Sequence, residues 1–231
     1  MFLSLHAMTT MKAILWDLDG TLADTEGLHY RSWRAALARY DIEYSYEQFL
    51  QGFGRPNGAI LPGLLGGRAT PELVEQVSTE KEADFRRILR EDGVQMLPGV
   101  DAWLTDFRRR GLRQAIASSG AMINIVATLE ALEVGDHFDS VISGARLPKG
   151  KPDPAIFRLA AASLGAAPEQ CLVIEDSLAG VEAARRAGMR CAAVGPIIHN
   201  PALRQRLDEF PGPPVITVAQ LTDLAWAQIQ G

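Results

Sequence analysis

Short continuous apolar runs alternate along much of this chain with stretches whose apolar residues recur every three or four positions. The first run, Lys12 to Trp16, reads as a strand buried on both faces, because such strands show unbroken rather than alternating hydrophobicity. Residues 26 to 92 then carry helical spacing alone: Trp33, Ala36, Leu37 and Tyr40, later Val74, Val77, Phe85, Ile88 and Leu89. Thr70-Pro71 reads as an N-cap followed by proline in the first helical position, and Gly66 and Gly67 as breaks between helices. From Gly99 the two patterns alternate. Val100, Trp103, Leu104 and Phe107 form a helical stripe that stops at Gly111, and Leu112 to Ala117 reads as a strand. A helix through Met122, Ile125, Val126, Leu129 and Leu132 follows, then a strand from Asp139 to Ile142. Asp153-Pro154 opens a helix ending at Gly165; Cys171 to Ile174 is a strand, with a helix after it to Gly188. Arg190 to Val194 and Val215 to Val218 are the last strands, and Ala219 to Ile229 the terminal helix. Strands alternating with helices predict an α/β fold with a doubly wound parallel sheet, a Rossmann-like core. The expected core is residues 11–24 and 97–231. A helical insertion, residues 25–96, divides it between the turn residues Ala23 to Thr25 and Leu97-Pro98-Gly99.

Composition narrows the partners more than it narrows the fold. A chain of 231 residues with 47% hydrophobic residues can bury a full core. A formal net charge of −5 without any long Lys/Arg run argues against nucleic acid or an anionic membrane as the main partner. The basic cluster Arg108 to Arg110 is expected at a helix end, solvated, where cations favour the dipole. Cys171 and Cys191 fall in strand-like runs and are expected as buried free thiols, which fits a reducing cytoplasm. No stretch reaches the ~18 apolar residues of a membrane span, and Met1 to Met8 lacks the basic region of a signal peptide. Met8 and Met11 are alternative starts to Met1. A monomer is expected, with a dimer as the alternative.

The chemistry concentrates at predicted strand ends. Asp17 and Asp19 follow the first strand, and their spacing of two turns both carboxylates to one side while Leu18 faces away. Two facing carboxylates repel, and a divalent cation or a retained proton relieves them. Ser118 ends the second core strand ahead of Ser119-Gly120 and a helix start, where a hydroxyl and amides can hold a phosphate; alone it reads as an N-cap. Lys151 stands in Gly150-Lys-Pro-Asp-Pro154, a cation between backbone-pinning prolines. Glu175-Asp176 closes the run Cys171 to Ile174, and a solvated pair would not ordinarily cap a fully buried strand.

The stretch Asp17-Leu-Asp-Gly-Thr-Leu-Ala-Asp24, followed in order by Ser118, Lys151 and Glu175-Asp176, resembles the motif set of the haloacid dehalogenase superfamily of phosphotransferases across nearly the whole chain. The resemblance implies that Asp17 is the nucleophile and Asp19 the general acid and base, initially protonated with its pKa raised by neighbouring carboxylates. It also implies Mg2+ on Asp17, the Asp19 carbonyl, Glu175 and Asp176, and a phosphate held by Ser118, Lys151 and nearby amides including Ser119 and Gly120. The dehalogenases of the superfamily lack the second aspartate, so Asp19 favours phosphate chemistry. Within the superfamily the likeness is to the β-phosphoglucomutase-like group, carried by Asp24-Thr25, His29 and Trp33 and by Glu175-Asp-Ser-Leu-Ala-Gly180. The insertion is then a helical cap, with Thr25, His29, Arg55 and Lys81 facing substrate. Of the two cap cations Arg55 is the stronger candidate, since Lys81 on a charged helix reads equally as a solvated face.

One departure bears on the reaction. The mutases of that group carry polar, basic residues soon after the Ser118 position, where this chain has Gly120-Ala-Met122. The expected function is therefore a Mg2+-dependent phosphatase of a small phosphorylated metabolite, a sugar phosphate for preference, acting through an aspartyl phosphate. A hexose phosphomutase is the alternative, and a non-catalytic binding protein is disfavoured by the full set of Asp17, Asp19, Ser118, Lys151 and Asp176.

Overall fold

A computed structural model describes residues 10–195, 205 and 211–230. The alternative starts Met1 and Met8 lie outside them. Six strands form one parallel sheet: β1 (Ala13–Trp16), β2 (Arg113–Ser118), β3 (Ser140–Ser143), β4 (Cys171–Glu175), β5 (Arg190–Val194) and β6 (Val215–Val218), in the order β3-β2-β1-β4-β5-β6. The fold is α/β and doubly wound. From β1 the chain builds outward to β2 and β3, then returns to the other side of β1 for β4, and ligands of such sheets bind outside the carboxyl ends where the direction reverses.

The apolar runs are continuous because alternate residues feed two cores. Ala13, Leu15, Ala115, Ala117 and Val173 face α7 (Ala155–Ser163) and α8 (Leu178–Arg186). Ile14, Trp16, Ile116, Leu172 and Ile174 face α5 (Val100–Arg109), α6 (Met122–Ala131) and the terminal α9 (Trp226–Gln230).

Between β1 and α5 stand α1 (Glu26–Ala38), α2 (Tyr46–Gly52), α3 (Asn57–Leu65) and α4 (Pro71–Asp92), with no strand among them. They bury their own cluster, which includes Trp33, Leu37, Phe49, Leu61 and Val77. A second cluster of Leu28, Phe85, Ile88 and Leu89 packs against Ala127 of α6, so the inserted helices touch the sheet domain beside the strand ends. Thr70 caps α4 as expected, its hydroxyl accepting from the Leu73 amide at 3.2 Å. Gly66 and Gly67 sit in a short 3₁₀ turn between α3 and α4, with Gly66 at φ +55°.

Two expectations are corrected. The terminal helix does not start at Ala219: a 3₁₀ turn spans Leu221–Asp223, Leu224 is extended, and a new helix begins at Trp226. The Asp223 carboxylate takes the Gln220 amide at 3.2 Å and the Gln228 side chain takes the Ala225 amide at 2.7 Å, so each segment has its own start signal. The Arg108–Arg110 cluster is more than a solvated helix end. Arg110 pairs with Asp106 at 2.6 Å and lies 3.9 Å over the Trp226 ring, joining α5 to α9. Both cysteines are buried free thiols. Among the described residues no helix is long and apolar enough to cross a membrane.

Candidate active site

β1 stops at Trp16, and the Asp17 amide still donates to the Ile174 carbonyl at 3.0 Å, holding the next residue against β4. Asp17, Leu18 and Asp19 all border one cleft, and Leu18 also packs into the core. Gly20 then reverses the chain at φ +83°; a Cβ there would stand 2.3 Å from an Asp176 carboxylate oxygen, so conformation and space both require glycine. Thr21, fully buried, donates its hydroxyl to Asp176 at 3.2 Å.

Lys151 arrives from the loop between β3 and α7, with a cis peptide bond between it and Pro152. Its ammonium donates to Asp17 at 2.5 Å and to Glu175 at 2.7 Å and lies 5.0 Å over the Phe157 ring. The side chains of Lys151, Asp17 and Glu175 are 6%, 10% and 1% exposed, so water contributes almost nothing to balancing these charges. Glu175 is the best supported of the acids. Its other oxygen accepts from the Asp176 and Ser177 amides and the Ser177 hydroxyl at 2.8 to 3.2 Å, while Ser177 also caps α8 by accepting from Gly180. Burial raises its proton affinity, but Lys151 and Ser177 outweigh that and hold it below the ordinary carboxylate range.

Asp17 shifts the opposite way. Burial and the Glu175 charge raise it to about 8 against the pull of Lys151, and burial with the same neighbours pushes Asp176 well up. Ligand oxygens of Asp17, Glu175 and Asp176 lie within 4.8 Å of one another. Two buried carboxylates and the half-buried Asp176, facing a single ammonium, suit a hard divalent cation, which takes oxygen donors and removes the reason for retained protons.

Asp19 is bound differently, and here the expected raised pKa is overturned. Its Oδ1 accepts from the Thr25 hydroxyl at 2.7 Å and meets His29 Nε2 at 3.1 Å; Oδ2 is 3.4 Å from the Ser118 hydroxyl. Thr25 occupies the N-cap of α1 yet makes no capping bond, its hydroxyl being spent on Asp19. His29 Nδ1 lies 3.0 Å from Lys81 Nζ. An ammonium only donates, so Nδ1 accepts, Nε2 carries the hydrogen, and Asp19 receives it as a carboxylate. Burial alone would raise Asp19, but His29, then Thr25 and Lys81, lower it to about 2. Turned toward these partners, the Asp19 side chain is not among the carboxylates of the cation cluster.

The remaining sequence candidates divide. Ser118 is the last residue of β2 and not an N-cap, a position that Ala121 takes. Its hydroxyl accepts from the Gly120 amide at 3.0 Å, so that amide is engaged within the loop; Ser119 lines the cleft. Both cap cations line the cleft, but they differ in burial. Arg55, ahead of α3, is exposed and donates to the Ala59 carbonyl at 3.3 Å. Lys81 is only 3% exposed, near the rings of Trp33 and Phe85 and bonded to His29 and Glu82. It is no solvated face. Glu82, Asn57 and Asn124 also line the cleft and escaped the sequence reading. A Glu beside a Lys on a helix gives no burial signal, and Asn124 became visible only once α6 was packed on α4.

A doubly wound sheet that presents a carboxylate cluster and one ammonium at its carboxyl edge, beside inserted helices, is the framework of a hydrolase on a Rossmann-like core. Residues 11–188 match the family model of haloacid dehalogenase-like hydrolases, and the chain belongs to that family. It is 31% identical over 194 residues to the β-phosphoglucomutase of Bacillus subtilis (strain 168), covering 80% of this chain and 84% of that one. It is 32% identical over 183 residues to the phosphorylated carbohydrates phosphatase of Thermotoga maritima, covering 78% and 82%. Among solved structures, the crystal structure of CbbY from Rhodobacter sphaeroides in complex with phosphate aligns with a TM-score of 0.79 and 27% identity, over 94% of this chain and 97% of that one.

The packing of α8 on Glu175 is testable. A Cβ at Gly180 would stand 2.0 Å from the Glu175 carboxyl, whereas one at Gly63 on α3 meets nothing within 4 Å. Gly180→Ala should destabilise by about 1–3 kcal/mol through overpacking, and Gly63→Ala should stabilise by about 0.5–1 kcal/mol. Urea unfolding of both variants checks this. A Gly180→Ala protein as stable as the parent would contradict the close approach.

Proposed function

We propose that this chain is a Mg2+-dependent phosphatase of small phosphorylated metabolites, sugar phosphates in particular, that works through an aspartyl phosphate on Asp17. Residues 25–96 act in this reading as a cap over a core of residues 11–24 and 97–231. The observation that carries it is the pairing of Asp17 with Lys151 in one cleft with Asp19, the second aspartate being held by Thr25 and His29. The similarity to the Thermotoga maritima phosphatase, whose name specifies phosphorylated carbohydrates, supports it.

The residues divide the work. An Asp17 carboxylate oxygen bonds to phosphorus as the bond to the leaving oxygen breaks, and Asp19 gives that oxygen a proton. Water then attacks phosphorus, Asp19 takes the proton from it, and the Asp17–phosphorus bond breaks to release inorganic phosphate. Asp19 rests as a carboxylate, ready for the second half. The charge of an arriving phosphate raises its proton affinity, so that Asp19 takes up from solvent the proton it gives in the first half; the proton taken from water in the second half replaces it. Lys151 and Ser118 hold phosphate oxygens as charge spreads over them, and the cap excludes bulk water. Mg2+, held by Asp17, Glu175, Asp176 and the Asp19 carbonyl, would neutralise charge on the nucleophile and the phosphate together.

A hexose phosphomutase is the second reading, favoured by the similarity to the Bacillus subtilis β-phosphoglucomutase. Phosphorus NMR with glucose 1-phosphate, with and without glucose 1,6-bisphosphate, decides between them. Free phosphate without isomer is expected, and bisphosphate-stimulated glucose 6-phosphate with little free phosphate would promote the mutase; Asp17→Asn should abolish either activity. Asp19→Asn should cost at least tenfold more in kcat on a sugar phosphate than on p-nitrophenyl phosphate, whose good leaving group needs little acid help. Equal losses on the two would remove Asp19 from the acid role. The raised Asp17 also sets a pH dependence. A group protonated below about 8 must release its proton for the cation to bind, so Mg2+ affinity should fall as pH drops from 8 to 6, by up to about tenfold per unit. Isothermal titration at the two pH values, in buffers of different ionisation enthalpy, should show tighter binding at pH 8 and proton release at pH 6. A pH-independent affinity would contradict the Asp17 assignment.

A further inference from the structure

The cleft that holds Asp17 and Asp19 extends between α4 and α6, with a volume of about 340 Å³, the size of a small-metabolite site. Asn57, Ser78, Glu82, Asn124 and Thr128 line it and have no part in the chemistry above. Glu82 Oε1 accepts from Asn57 at 2.6 Å and from Lys81 at 3.0 Å, and its Oε2 accepts from Asn124. Burial would favour its neutral form, but the Lys81 charge and the Asn57 and Lys81 hydrogen bonds keep it below the ordinary carboxylate range, an anion. The nearby cations are committed: Lys81 to Glu82 and His29, Arg86 to Asn124 at 2.7 Å, and exposed Arg55 to the Ala59 carbonyl. Thr128 lies four residues beyond Asn124 on the same face of α6 and is 1% exposed. Its Oγ1 has no hydrogen-bond partner among the described residues, and a buried hydroxyl left unpaired is costly.

We propose that Thr128, Asn124 and Glu82 form a hydroxyl-reading subsite that fixes the substrate as a monophosphate with a neutral, polyhydroxylated distal end and excludes a second phosphate. The proposal rests on the reading of Asp17 as phosphoryl acceptor, which fixes the reacting phosphate at the other end of the cleft. A hydroxyl both donates and accepts, so it can enter this network, donate to the Glu82 carboxylate and give Thr128 its missing partner. A phosphate oxygen only accepts. It would face the Glu82 anion, whose counter-charge on Lys81 is already engaged. Sites built to hydrogen-bond a hydroxyl discriminate strongly, because a mismatched substrate leaves their buried polar groups unpaired.

The test measures kcat/KM for phosphate release by the full chain with Mg2+. The substrates are a panel of hexose and hexitol monophosphates, glucose 1,6-bisphosphate, and p-nitrophenyl phosphate, which has no distal hydroxyl and reads the reacting end. The expected result is that the best monophosphate exceeds the bisphosphate at least tenfold. Thr128→Val, which keeps the shape and removes the hydroxyl, should cost the best monophosphate at least tenfold more than it costs p-nitrophenyl phosphate, without lowering Tm. A purely structural Thr128 would move both substrates by one factor. Glu82→Gln should narrow the monophosphate-to-bisphosphate ratio at least tenfold, a ratio that cancels any disturbance passed through Lys81 to Asp19. The proposal is overturned if the parent enzyme turns over bisphosphate as well as any monophosphate, or if Thr128→Val lowers both rates equally; neither result needs the Glu82 variant to fold. Hydrolysis of p-nitrophenyl phosphate with flat ratios would defeat the subsite alone. No hydrolysis of any substrate would defeat the phosphatase reading and the subsite with it.

Discussion

One buried ammonium between two buried carboxylates, with the half-buried Asp176 beside them, is the constraint on which the rest of this structure depends. Lys151 touches Asp17 and Glu175 where none of the three side chains is more than 10% exposed. Burying such groups is costly unless each meets its counter-charge with good geometry, and an unpaired member costs several kcal/mol. The surroundings meet that demand by fixed donors. Glu175 collects two amides and a hydroxyl from the turn that starts α8, and Asp176 collects Thr21. Glycine at residues 20 and 180 lets the backbone come close enough for those contacts to form. The charge that remains unbalanced, on Asp17 and Asp176, is the part of the cluster open to a cation.

The sheet makes this arrangement possible at little local strain. Ordering β2 and β4 on either side of β1 brings residues from positions 17, 118 and 175 to neighbouring strand ends, with Lys151 entering from the loop after β3. No single element carries the site. Strands β1, β2 and β4 each contribute one or two polar residues at the end of an apolar run, so chemistry and core-building share these strands without competing for the same positions. The inserted helices add a second polar layer, in which Lys81, His29 and Thr25 converge on Asp19 while Glu82 reaches Asn124 on α6. The two layers meet across the cleft, and Lys81 serves both, bonding to His29 on one side and Glu82 on the other.

What the sequence disclosed follows from where the information resides. Strand β1 and the acidic turn after it are local patterns, an apolar run followed by Asp-x-Asp-Gly-Thr, and both were legible. So were the helical stretch from 26 to 92 and the alternation after residue 99, because periodicity is a local property. The terminal helix was misread because Asp223 and Gln228 side chains create two separate starts that hydrophobic spacing does not register. Lys81 was misjudged for a comparable reason. On its own helix it is one charge among many, and only the packing of α1 against α4 shows that it is buried between Trp33 and Phe85 with His29 as its acceptor. Glu82, Asn124 and Thr128 depend on the meeting of α4 with α6, a contact more than thirty residues apart in the chain, and no spacing rule announces it.

The clearest limit of a sequence reading is the difference between Asp17 and Asp19. Two residues apart, of the same type and facing the same cleft, they are indistinguishable in spacing, and repulsion between them would raise both alike. Their partners separate them. Asp17 lies against Glu175, whose charge adds to burial in raising it to about 8 despite Lys151. Asp19 faces away from that cluster toward His29 and Thr25, which overcome burial and lower it to about 2. Glu175 comes from a distant strand end, Lys151 from the loop after β3, and His29 from the first inserted helix. Opposed shifts on adjacent carboxylates are how a fold assigns them different roles. Here the assignment is made by tertiary structure: the spacing of the two aspartates supplies the pair, and the sheet and the inserted helices decide what each member does.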